Sequence, residues 1–110
     1  MGTTRYTGAE TGRVFPVMNH VRVTLATGVG QGNGGTSLPC GGCWIQPLLG
    51  NTATVRLAVG EAASATVGID LPYVSATVQG QPTFVPIDDV SKLYFYSSDA
   101  DAVIDILYVG

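Results

Sequence analysis

Apolar and polar residues alternate along much of the chain, which is the pattern of half-buried β-strands. In residues 20–27, Val21, Val23 and Leu25 are expected on one face, and His20, Arg22 and Thr24 on the other. The last segments are apolar on both faces, as is typical of strands in the middle of a sheet. The segments predicted to be strands are residues 20–27, 43–49, 53–59, 83–87, 92–96 and 102–109, with shorter β-like pieces in 66–79.

Turn residues suggest how these segments connect. Gly50-Asn51-Thr52 separates 43–49 from 53–59, and residues 97–101 separate 92–96 from 102–109. We therefore expect two hairpins. Residues 28–42 contain seven glycines in fifteen positions and are expected to form a long loop.

About seven short strands without a helix predict an all-β single domain, a β-sandwich or a jelly-roll-like fold. Residues 1–12 are rich in glycine and threonine, and 13–18 form a short apolar run with Pro16. We expect an extended N-terminal arm and possible edge strand over 1–18, followed by the sandwich domain over 19–110.

Composition excludes several classes of function. Of the 110 residues only 12% are charged, about half the usual share, and the net charge is −3. Bulk positive charge for nucleic-acid binding is absent, no apolar stretch is long enough to span a membrane, and no signal peptide is apparent. The charge is +3 over residues 1–56 and −6 over 57–110. This asymmetry suits head-to-tail packing of copies or docking on a charged partner, unless the fold mixes the two halves in space.

Two motifs lack the surroundings that their chemistry needs. Gly30, Gly32 and Gly35 match G-x-G-x-x-G, but the residues that follow do not favour the helix that a dinucleotide site requires. Cys40 and Cys43 form a C-x-x-C, yet His20 is the one other histidine or cysteine, too few for a zinc site. A disulfide and two free thiols both stay open.

The remaining titratable residues favour structural roles. A triad around His20 would make the protein a small hydrolase, but no G-x-S-x-G accompanies it. Asp99, Asp101 and Asp105 lack the glycine and terminal glutamate of a calcium loop and suit a solvated turn. We expect no metal or cofactor.

Two further groups of residues have side chains that could bind a ligand. Asp88 and Asp89 could attract a cation, but capping of a turn is the favoured interpretation. Trp44, Tyr94 and Tyr96 could stack on sugars, although aromatic residues fill cores and interfaces more often.

Residues 43–59 and 84–109 carry a family resemblance. They resemble small structural proteins of tailed bacteriophages, above all capsid decoration (cement) proteins. The strongest part is an I-D-D-x-x-K-L-Y-x-Y run that ends at Tyr96. The segments that carry the resemblance are Trp44-Ile45-Gln46, Gly50-Asn51-Thr52, Val55-Arg56-Leu57-Ala58-Val59, Pro86-Ile87-Asp88-Asp89-Val90-Ser91-Lys92-Leu93-Tyr94-Phe95-Tyr96, Ser98-Asp99-Ala100-Asp101 and Ile104-Asp105-Ile106-Leu107-Tyr108-Val109.

The resemblance implies a non-enzymatic virion protein on the phage head surface, made in the host cytoplasm and often trimeric. Its partners would be the major capsid protein and its own copies, with no nucleic acid or membrane involved. Arg5, Tyr6, Arg13 and Phe15 are interface-type residues in the arm and are the expected capsid contacts. The alternative is a host-surface or glycan-binding domain of a head or tail fibre.

Overall fold

The computed structural model describes residues 18–73, 75, 77–78 and 80–110. These residues form two antiparallel four-stranded sheets, sheet A in the order β1-β8-β3-β6 and sheet B in the order β2-β7-β4-β5. No helix within this part of the chain has the length and apolar character needed to cross a bilayer. The strands are β1 (Met18–Leu25), β2 (Val29–Gln31), β3 (Cys43–Pro47), β4 (Val55–Val59), β5 (Ile69–Asp70), β6 (Thr83–Val85), β7 (Leu93–Ser97) and β8 (Ala102–Val109).

One hydrophobic core joins the two sheets. Alternate residues of β1, β3, β4, β7 and β8 point inward, so period-2 patterning buries one face of both sheets. The all-β sandwich expected from the sequence is therefore confirmed. The core side chains contributed by the strands are Val23, Leu25, Cys43, Ile45, Val55, Leu57, Val85, Leu93, Phe95, Ala102, Ile104 and Ile106.

The central position of the two C-terminal strands is also confirmed. β8 lies between β1 and β3, and β7 lies between β2 and β4. Leu93 and Phe95 are buried in the core, whereas Tyr94 and Tyr96 are half-buried on the opposite face of sheet B. In β1, Val23 and Leu25 are buried as predicted.

The prediction of two hairpins is wrong, because each strand pairs with a strand of the other predicted hairpin. β3 pairs with β8 in sheet A, and β4 pairs with β7 in sheet B. The turns at 48–54 and 98–101 therefore cross from one sheet to the other, over the roughly 10 Å that separates packed sheets.

Asn51 holds the first of these crossings in place. Its buried side chain donates from Nδ2 to the Val103 carbonyl at 2.9 Å, and its Oδ1 accepts from the Val103 N–H at 3.0 Å. The backbone N–H of Thr52 donates to Asp99 Oδ2 at 2.9 Å. The two crossing turns are thus tied together at one end of the sandwich.

The expected long loop over 28–42 contains a strand. β2 pairs with β7, placing Gly30 opposite Phe95. A Cβ on Gly30 would lie 2.5 Å from Leu25 Cδ2, so a side chain here would require Leu25 to move. Glycine is depleted in strands, and its abundance here hides β2 from pattern analysis.

Candidate functional site

The outer face of sheet B is occupied by its own side chains. Arg56 donates from Nη1 to Asp70 Oδ1 at 3.0 Å and from Nη2 to the Gly68 carbonyl at 2.6 Å. Tyr96 stands opposite Arg56 in the ladder. Val29, which is 50% exposed, stands opposite Tyr96 at the edge of the sheet, so this face mixes polar, aromatic and aliphatic side chains.

The outer face of sheet A exposes a row of apolar side chains. Leu107 of β8 stands opposite Trp44 of β3, and Trp44 stands opposite Phe84 of β6. These three side chains, the apolar row, are 40%, 44% and 47% exposed in the order Leu107, Trp44, Phe84. The Trp44 and Phe84 ring centroids lie 5.2 Å apart, and the ring planes are inclined by 58°. The neighbouring ring thus restricts the orientation of Trp44.

A second row on the same face is polar. Arg22, Asp105 and Gln46, the polar row, are adjacent on β1, β8 and β3. Arg22 donates from Nε to Asp105 Oδ1 at 2.8 Å and from Nη2 to Oδ2 at 3.3 Å. His20 Nε2 lies 3.1 Å from Asp105 Oδ1. Partial burial raises the pKa of Asp105, but hydrogen bonds from Arg22 and His20 outweigh it and hold that pKa below its usual value.

A groove of about 450 Å³ runs along these two rows. Gln46 donates from Nε2 to the Gly80 carbonyl at 2.7 Å, which anchors the amide on this side. The groove, called the sheet A groove below, is lined by His20, Trp44, Gln46, Pro82, Asp105 and Leu107.

The titratable groups of the groove are His20 and Asp105. His20 is paired with Asp105, and no hydroxyl or thiol among the described residues hydrogen-bonds to His20. The described part of the chain also has no group of three or more His, Cys, Asp or Glu residues that could hold a metal. The groove thus combines an exposed aromatic ring with a few polar side chains, a composition that small-molecule sites share.

The predicted site residues are dispersed. The expected capsid contacts Arg5, Tyr6, Arg13 and Phe15 lie outside the described residues. Trp44 lies on the outer face of sheet A, whereas Tyr94 and Tyr96 belong to sheet B, so these three aromatic residues do not form one stacking platform.

The acidic residues separate into different roles. Asp99 accepts from the backbone N–H of Asp101 at 3.1 Å inside the crossing turn, whereas Asp105 belongs to the polar row of sheet A. These residues therefore do not form a calcium loop. The glycines of the G-x-G-x-x-G are followed by extended backbone at Thr36, not by a helix N-terminus.

Asp89 confirms the capping interpretation. Its carboxylate accepts from the Leu38 N–H at 2.9 Å, the Ser37 hydroxyl at 2.5 Å and the Ser91 N–H at 2.9 Å. These donors hold the pKa of Asp89 far below its usual range, since they stabilise the ionised form. Asp89 thereby ties residues 37–38 to the short 3₁₀ turn Val90–Lys92.

Cys40 and Cys43 are free thiols beside one segment of backbone. Cys40 Sγ donates to the Ile87 carbonyl at 3.4 Å, and Cys43 Sγ donates to the Val85 carbonyl at 3.8 Å. Burial raises the pKa of the Cys43 thiol to about 12, so this thiol is a weak nucleophile.

The sequence pattern indicates His20 and Trp44 as candidate residues, but it does not indicate the groove between them. The missing signal was the strand order, which brings Gln46, Asp105 and Leu107 beside these two residues. Outward positions at 44 and 46, and at 105 and 107, are readable from the alternation, but their adjacency is not.

No family model, curated protein or solved structure matches the chain. Function is therefore inferred from the residues, from their geometry and from the resemblance carried by residues 43–59 and 84–109.

Proposed function

We propose that the protein is a virion structural protein, a capsid decoration (cement) protein that binds the outer surface of a phage head. It would stabilise contacts between major capsid subunits and act as a homotrimer. The partners in this proposal are the major capsid protein and further copies of the chain.

The observation that carries the proposal is the run from Ile87 to Tyr96, the strongest part of the resemblance. This run leaves β6 of sheet A, passes the Asp89 cap and enters β7 in the centre of sheet B. Its residues therefore build the sandwich itself, which suits a family whose members are structural.

Residues 1–18 supply the attachment in this proposal. The core cluster of the described residues runs from Val23 to Ile106 and spans both sheets. Seventeen residues precede β1, and Arg5, Tyr6, Arg13 and Phe15 among them are of the types enriched at interfaces. The two arginines suit capsid carboxylates, and Phe15 adds apolar area.

Several copies of the chain linked in a trimer would bind the capsid more tightly than one copy does. Each copy needs only modest affinity when copies are linked in a trimer, because a second contact then forms at high effective concentration. A sparsely charged chain is compatible with burying surface against both neighbours and capsid.

The test is binding of the purified full chain to heads of the encoding phage assembled without it. We expect saturable binding to the head exterior. Deleting residues 2–12 should weaken that binding at least tenfold, about 1.4 kcal/mol, with an unchanged melting temperature. Substituting Thr3 and Thr4 by alanine is the matched control, which should bind like the wild type.

Absence of binding by the folded full chain contradicts decoration. If the truncated chain binds heads as tightly as the full chain, the arm is not the attachment and the sandwich must provide it.

A further inference from the structure

The sheet A groove has no part in the proposed attachment. We propose that it is a carbohydrate-binding site, which takes one ring of a neutral hexopyranose with the C–H face of the sugar on Trp44. This is a second activity of the same domain and does not depend on where the domain is attached.

Trp44 supplies the platform. Its ring is 44% exposed on a regular strand, with Phe84 on one side and Leu107 on the other. Aromatic rings provide large apolar contact area with little loss of conformational freedom, because they have only two side-chain torsions. A ring already held by its neighbours can therefore stack on the apolar face of a sugar with little ordering on binding.

The polar side chains beside Trp44 suit hydroxyl groups. Each sugar hydroxyl both donates and accepts, so it pairs with carboxylate, amide and imidazole groups alike. Gln46 uses Nε2 to reach the Gly80 carbonyl, and within the described residues its Oε1 has no hydrogen-bond partner. Asp105 has further acceptor capacity beyond its bonds to Arg22 and His20, since a carboxylate offers about four lone-pair positions.

The charges favour a neutral ligand. The Arg22 guanidinium and the Asp105 carboxylate neutralise each other across a 2.8 Å hydrogen bond. Neither an anionic nor a cationic ligand gains a free countercharge among the residues that line the groove. The volume of about 450 Å³ lies in the range of small-molecule sites, roughly 300–1,000 Å³.

A flat protein contact is a poorer match for this surface. The centre of a protein interface is depleted of charged residues, which collect at its rim. Here Asp105 lies beside Leu107 of the apolar row, since it is two residues from Leu107 on the same strand face, and it stands opposite Gln46, two residues from Trp44. The arrangement of one stacking ring and several hydroxyl-binding groups is that of a sugar subsite.

The first experiment is a titration of the full chain with neutral sugars. The probes are methyl β-D-glucopyranoside, methyl β-D-galactopyranoside, maltotriose and cellotriose. Trp44 is the single tryptophan, so tryptophan fluorescence reports on the groove alone. We expect saturable changes for at least one probe with Kd on the order of 1 mM, typical of a small contact. Glucose 6-phosphate should bind no more tightly than the neutral sugars.

Variants separate binding from folding, with NMR titration as the readout. Trp44→Ala should weaken sugar binding at least tenfold, Trp44→Phe should retain part of it, and Gln46→Leu should weaken it severalfold. Val59→Ala trims a comparably exposed apolar side chain, 47% exposed, on the other sheet and should bind like the wild type. Unchanged melting temperatures show that each variant is folded.

Sugar binding and head binding should be lost in different variants. Deletion of residues 2–12 should leave sugar binding unchanged, and Trp44→Ala should leave head binding unchanged. If none of the four neutral probes perturbs Trp44, or if Trp44→Ala abolishes head binding instead, the carbohydrate site is refuted while the decoration proposal is decided by the head assay.

Discussion

Substituting Gly32 by alanine tests the packing that closes one edge of the sandwich. A Cβ at Gly32 would lie 2.0 Å from the Val90 carbonyl oxygen, and Val90 is fully buried. The Val90 N–H is also bonded to the Leu38 carbonyl at 2.9 Å, so Val90 cannot retreat without losing that bond.

Overpacking of this kind costs about 1–3 kcal/mol, and a lost backbone hydrogen bond adds about 1 kcal/mol. The lower chain entropy of unfolded alanine offsets about 0.4–1 kcal/mol. We therefore expect Gly32→Ala to lower the free energy of unfolding by about 2–3 kcal/mol.

Gly34→Ala is the matched control in the same turn. Gly34 has φ of +63°, and a Cβ there would meet no atom within 4 Å. The left-handed conformation costs alanine about 1–2 kcal/mol, again offset by chain entropy. We expect a net loss of about 0.5–1 kcal/mol, measured for both variants by urea denaturation monitored by circular dichroism.

The test is which of the two variants has the lower free energy of unfolding. If Gly32→Ala is no more destabilising than Gly34→Ala, with equal denaturant slopes, then the contact between Gly32 and Val90 does not exist in solution. The fold around the Asp89 cap would then need revision.

Three further predictions concern pH, assembly and metal. Because the folded pKa of Asp89 is depressed, the stability that Asp89 contributes is present above its unfolded pKa, about 3.9, and is lost as the pH falls toward the folded pKa. The melting temperature of the wild type should therefore drop below about pH 4. Asp89→Asn should lower the melting temperature at neutral pH and make its dependence on pH flatter. An equally steep profile in that variant would count against the cap. Light scattering should show a homotrimer, in solution or after release from heads, and monomers in both states would be inconsistent with it. Elemental analysis of the assembled protein should find no stoichiometric zinc at Cys40 and Cys43, because two ligands per chain do not close a tetrahedral site; bound zinc would overturn this.

Local periodicity predicted the elements whose burial depends on their own residues. Alternation in β1 indicated a strand and its inward face, because side-chain direction has a period of two within any strand. The apolar character of β7 and β8 on both faces indicated strands in the middle of a sheet. Which strands pair with one another does not follow from this periodicity. Pairing of Trp44 with Leu107 depends on contacts between distant segments, whereas a short turn at 50–52 suggests a hairpin locally.

The candidate groove depends on the order of the strands in sheet A, which local periodicity does not indicate. His20 and Trp44 were recognisable as a polar-face histidine and an unusual aromatic residue. Their common groove exists only because β8 lies between β1 and β3 and carries Asp105 and Leu107 to both. β2 was hidden for another reason, since Gly30 packs against the Leu25 side chain and glycine is not typical of a strand.

Counting the copies of this chain in purified virions tests the central proposal most directly. Quantitative gel densitometry against the major capsid protein, with localisation on the particle by electron microscopy, gives both number and position. Decoration predicts copies on the order of hundreds, spread over the head surface at symmetry-related positions, as repeated weak contacts require. A few copies confined to a fibre or to the tail would contradict decoration and favour the fibre-domain alternative.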